Sequence, residues 1–146
     1  MTRFKKEEQP DLSLPEDSIH RARLTEIDQK TINWIENGTQ KETEILEWWW
    51  EITATNLGPQ YVGRRVKGSC SAYLGSGENN KFNAWAEALL NREIPIGADV
   101  DTDDLVGLEA EVVIGHKPNK KDPSKFFEEV QFVHPLSGAY SADPPF

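Results

Sequence analysis

The chain has 146 residues, 37% of them hydrophobic and 28% charged, which supplies one core and no run long enough to span a membrane. Lys and Arg total 16 against 25 Asp and Glu, so the formal charge is −9; this argues against a passive nucleic-acid coat but leaves local patches open. The single cysteine, Cys70, makes neither an internal disulfide nor a structural zinc site, so a reducing, cytoplasmic setting is expected.

Residues 1–18 read as a flexible N-terminal arm, with Pro10, Pro15, mixed charge and no apolar stretch of the kind a signal peptide needs. A body follows over 19–136, and residues 137–146, SGAYSADPPF, read as a short tail. The first strand is predicted over IHRARLTEID, followed by a long loop, QKTINWIENGTQKE. The second is predicted over EILEWWWEITAT, where period-two alternation puts Leu46, Trp48, Trp50, Ile52 and Ala54 on one face and Glu47, Trp49, Glu51 and Thr53 on the other. After the turn NLGP, the stretch QYVGRRVKGSCSAYL is predicted as a third strand. Val62, Val66 and Cys70 face inward there, Tyr61, Arg65 and Lys67 outward, and Arg64 is an awkward inward member.

KFNAWAEALLN then reads as a helix with Phe82, Trp85, Ala86 and Leu89 in one stripe and Asn79 or Asn80 as its N-cap. A fourth strand is expected over GLEAEVVIGHK with Leu108, Ala110, Val112 and Ile114 inward. A fifth is expected over FFEEVQFVHP, whose inward face is open between Phe126, Val130 and Phe132 on one side and Phe127 and Val133 on the other. Three strands, a helix and two strands give the order of a mostly-β, five-stranded Greek-key barrel with one helix between strands three and four, the OB-fold; a plain antiparallel α+β sheet is the alternative.

Such barrels bind ligands along strands two and three, between the loop joining strands one and two and the loop joining four and five. Single-stranded nucleic acid needs aromatic faces for its bases there, and cations for its phosphates. The first loop carries Lys30, Trp34 and Lys41. The other loop carries Lys117, Lys120, Lys121 and Lys125 against Asp122, four positive charges less one negative. Trp49, Tyr61, Arg65 and Lys67 would lie between them. The plainer readings stand beside this: Glu47 and Glu51 flank Trp49, so Arg65 and Lys67 would pair with them across strands, and Trp34 would cap one end of the core.

No catalytic, cofactor or metal chemistry is predicted. DVDTDDL lacks the Gly and Glu of a calcium loop and reads as a capped turn, LGSGENNK lacks the P-loop spacing, and the three histidines show no ligand spacing with one another or with Cys70.

On RARLTEI, GRRVKGS, the helix KFNAWAEALLN, DTDDLVGLEAEVVI and FEEVQFVHPL, the body from about residue 20 to residue 136 resembles a family of phage and prophage OB-fold proteins linked to single-stranded DNA binding. The resemblance implies a non-enzymatic, sequence-tolerant binder serving phage-type DNA replication or recombination in the cytoplasm of a bacterial host. The implied site residues are Trp34, Trp49, Tyr61, Arg65, Lys67, Lys117, Lys120, Lys121 and Lys125. The closing Asp143, Pro144, Pro145 and Phe146 look like the tip of bacterial single-stranded DNA-binding proteins, which implies docking of replication or repair proteins. RNA in place of DNA and assembly into a homo-oligomer are both compatible with this reading. The competing function is a protein-interaction module on the same barrel, an inhibitor or adaptor that grips an acidic partner and not DNA.

Overall fold

The computed structural model describes residues 2–6, 11–76, 79–122 and 124–136. Five strands form one antiparallel sheet in the order β3-β2-β1-β4-β5: β1 Ile19–Glu36, β2 Thr39–Ala54, β3 Arg65–Ser71, β4 Glu109–Pro118 and β5 Phe126–His134. The helix α1, Lys81–Leu90, lies between β3 and β4. Among the described residues no helix is long and apolar enough to cross a membrane.

The alternation of β2 does most to fix this arrangement. Leu46, Trp48, Trp50 and Ile52 are buried, and Trp48 and Trp50 are covered completely. Helix α1 is capped by Asn80, whose side chain accepts from the Asn83 N–H, and ends at Asn91 in the left-handed region, φ 54°. Its apolar stripe seats Trp85 edge-on against Trp48 at 5.3 Å between ring centroids and against Trp50 at 6.3 Å; Phe82 meets Trp48 at 5.7 Å. Val66, Leu89, Val112 and Ile114 complete the same core.

The sheet curls until its edge strands approach each other, but β3 and β5 share no ladder, so it is not closed. A Cβ built on Gly68 of β3 would lie 2.6 Å from Cη2 of Trp85 and 3.1 Å from Cβ of Val130 on β5, so only glycine allows this approach. Arg64, the awkward inward member of the third strand, donates to Glu128 of β5 at 2.8 Å. The same carboxylate oxygen accepts the Leu14 N–H at 2.9 Å, while the His116 Nε2–H donates to the Leu14 carbonyl at 2.7 Å. Leu14, which its sequence places in the N-terminal arm, is therefore buried in the core.

Three elements differ from the sequence prediction. The first loop, QKTINWIENGTQKE, is not a loop. β1 and β2 run on as a two-stranded ribbon to a turn at Asn37 and Gly38, with φ of 51° and 76°. An Asn-Gly pair meets the double positive φ of a two-residue hairpin turn at little cost, so the ladder continues to Glu36 opposite Thr39. The third strand starts only at Arg65, because Pro59–Tyr61 forms a 3₁₀ turn; Val62 is 54% exposed instead of inward. On β5, an irregularity in the β4 pairing between Val113 and Ile114 lets Val130 and Val133, three positions apart, both point inward, which leaves Phe126, Phe127 and Phe132 outside.

Candidate nucleic-acid interface

Trp49 stands on the outer face of β2, opposite Lys67 of β3 and Glu26 of β1. Its indole is half-buried beneath two cations, with Arg65 Cζ 4.9 Å and Lys67 Nζ 5.8 Å from the ring centroid. Cation–π attraction of about 0.5–1 kcal/mol each is expected at such a surface position. Both cations are also paired: Lys67 with Glu47 at 2.9 Å, and Arg65 with Glu26 at 3.4 Å, not with Glu51. Glu47 is buried and receives a second ammonium, Lys30, at 2.6 Å. Hydrogen bonds from Lys30 and then Lys67 hold its carboxyl below the usual carboxylate range, and the Glu47 carboxylate in turn raises the Lys30 pKa. The plainer cross-strand reading thus describes Lys67, and Trp49 is half-buried beneath it and Arg65.

Trp34 does not cap the core. It lies on the ribbon, 41% exposed, opposite Lys41. The register Glu26–Trp49, Asp28–Glu47, Lys30–Ile45, Ile32–Thr43, Trp34–Lys41 puts Trp34, Ile32, Lys30 and Trp49 on one face. Eight residues separate the Glu26 and Trp34 pairs, which is roughly 26 Å of strand at the usual rise. The two indoles thus stand several nucleotides apart along one surface. Tyr61 belongs elsewhere: it closes the 3₁₀ turn, packs against the core and is not on the sheet face.

The basic loop is the more open of the two regions. Asp122 shapes it by accepting from the Ser124 N–H and hydroxyl, and the Asn119 side chain accepts from the Lys121 N–H. Lys125 reaches Asp122 only at 3.9 Å, and among the described residues Lys117, Lys120 and Lys121 form no ion pair. These three lysines, Pro118, Asn119 and Phe127 line a cleft of about 440 Å³. Phe127 pairs across the ladder with Lys117 and is 57% exposed; beside it, Phe126 stacks on His116 at 4.0 Å with the planes 13° apart. The sequence reading missed these rings as surface groups, because their direction depends on the β4–β5 register and not on β5 alone.

The structure therefore assembles Trp49, Arg65, Lys67 and Lys30 in one cluster, and Lys117, Lys120, Lys121 and Phe127 in another. The β1–β4 register keeps them apart, because β1 meets β4 only at Ile19–Arg23, with the ribbon at one end of β1 and the basic loop beyond the other. Asp143, Pro144, Pro145 and Phe146 lie outside the described residues. Among the described residues no group of His, Cys, Asp and Glu is arranged to hold a metal ion. The segment read as a capped turn is one: Asp101 accepts from the Asp103 N–H at 2.9 Å. No family model matches the chain, and no curated protein matches its sequence.

Proposed function

We propose that this protein is a non-enzymatic, sequence-tolerant binder of single-stranded DNA built on an OB-fold barrel, serving phage-type replication or recombination in a bacterial host. The observation that carries the reading is the cleft where three lysines that form no ion pair among the described residues meet the exposed Phe127 ring, since a single strand asks for cations and a stacking face in one place. Trp49 and Trp34, on one face of the β1–β2 ribbon, supply further stacking surfaces, and Arg65, Lys67 and Lys30 supply cations that phosphates would draw from Glu26 and Glu47. The strand order β3-β2-β1-β4-β5, the helix between β3 and β4 and the approach of β3 to β5 fit an OB-fold. RNA would meet the same surfaces, and Asp143 to Phe146 would dock replication or repair proteins.

The second reading, a module that binds a protein partner instead of DNA, is favoured by one observation: the sheet-face cations are already neutralised by Glu26 and Glu47. Fluorescence anisotropy of labelled oligo-dT separates the two. Under the first reading the wild type binds, Lys120→Ala with Lys121→Ala weakens binding, and adding Trp49→Ala weakens it further. Absence of binding by the wild type at low salt would leave only the second.

A further inference from the structure

We infer that the outer edge of the β1 ribbon pairs with the same edge of a second copy of this chain, antiparallel about Asn33. The edge is open. Leu24 is the last residue of β1 tied to the β4 side, through its N–H to the Leu108 carbonyl and its carbonyl to the Gly107 N–H. Beyond it, among the described residues, β1 pairs with β2 alone.

The hydrogen-bonding groups on this edge point outward at known positions. A two-residue turn makes its flanking residues, Glu36 and Thr39, a hydrogen-bonded pair, and bonding then alternates down the ladder. Thr31, Asn33 and Ile35 fall on the non-bonded positions, so their N–H and C=O groups face away from β2. An independent contact agrees: Glu44, opposite Thr31, turns its carbonyl away from β1 to accept the Ala72 N–H at 3.0 Å. Thr31 must turn its own groups the other way, into the open edge.

The side chains along this edge are self-complementary in one register. With Asn33 opposite its own copy, Lys30 faces Glu36 of the second copy, Ile32 faces Trp34, and Thr31 faces Ile35, each pair occurring twice. This matches opposite charges and covers Ile32, Trp34 and Ile35, which are 43%, 41% and 77% exposed in the single chain. Shifting by one residue would bring opposite faces together. Shifting by two residues would set Glu36 against Asp28 or against Ile32. In the favoured register the second copy's turn, Asn37 and Gly38, falls opposite Gln29 and Asp28, clear of the β4 side contact at Leu24. The pairing joins like faces, so the Trp34 rings and the Trp49 faces of both copies share one surface.

Sedimentation equilibrium of the full chain without oligonucleotide tests this, and its outcome is independent of whether the protein binds DNA. Asn33→Pro removes an N–H that β2 does not use, so the fold stays intact, as circular dichroism would verify. The expected result is a dimeric wild type and a dimer dissociation constant raised at least about tenfold in Asn33→Pro. Asn33→Cys, whose symmetric Cα separation of about 5.5 Å suits a disulfide, should cross-link faster than Thr31→Cys, which faces Ile35. A monomeric wild type, a dimer untouched by Asn33→Pro, or equal cross-linking by the two cysteine variants would overturn the proposal. So would amides of Thr31, Asn33 and Ile35 that gain exchange protection only when oligo-dT is added, which would assign the edge to nucleic acid.

Discussion

Trp49 owes its outward direction to its neighbours. Trp48 and Trp50 are drawn into the core, and a strand then has no choice but to turn the residue between them outward. If bases stack there, Trp49→Ala should cost about 1–3 kcal/mol of affinity for single-stranded DNA, read by anisotropy, and the loss of its contacts with Arg65 and Lys67 should lower stability by about 1–2 kcal/mol, read by urea denaturation. His20 gives a prediction of a different kind. It is buried, with Ser18 Oγ and Thr55 Oγ1 within 2.8 Å and 2.7 Å of its two ring nitrogens. Burial first, and the nearby Arg64 charge second, push its pKa below the ordinary 6.5. The unfolded chain therefore binds the extra proton at a higher pH than the folded one, and stability falls as pH drops from about 6.5 toward the folded value. The urea midpoint should decrease across that window, and His20→Gln should remove this part of the decrease.

At the level of elements, β2, α1 and β4 are legible in the sequence, because each is a single period with one buried face: Leu46 to Ile52, Phe82 to Leu89, Ala110 to Ile114. The outward set Trp49, Arg65 and Lys67 follows from the same alternation. What the sequence hides is whatever depends on two strands at once. Thr31 to Glu36 read as a loop because the ribbon has no buried face to impose a period, and the Asn-Gly turn that closes it was the available signal. Phe127 and the Lys30–Glu47 bridge emerge only once the β4–β5 and β1–β2 registers are set. Gly68 belongs to this level as well. Because Trp85 and Val130 occupy the space a side chain would need, Gly68→Ala should lower stability by about 1–3 kcal/mol, measured by urea denaturation.

The whole molecule is acidic at −9, yet three lysines without ion pairs among the described residues gather in the β4–β5 loop. Six acids and no base lie between Asp99 and Glu111, a stretch that would repel nucleic acid and confine a strand to the basic side. Neutralising about four phosphates would give a slope of log affinity against log salt of roughly −3, and Lys120→Ala with Lys121→Ala should flatten it by about 1 to 2. The central claim is tested most directly by tryptophan fluorescence during titration with oligo-dT, alone and as a duplex with oligo-dA, at low and moderate salt. Trp48, Trp50 and Trp85 are buried, so quenching by the strand would report on Trp34 and Trp49. The account predicts quenching by the single strand only, weakened by salt and reduced in Trp49→Phe. A titration in which neither form changes the emission, at either salt, would contradict stacking on Trp34 and Trp49, and unchanged anisotropy of a labelled strand in the same titration would contradict binding altogether.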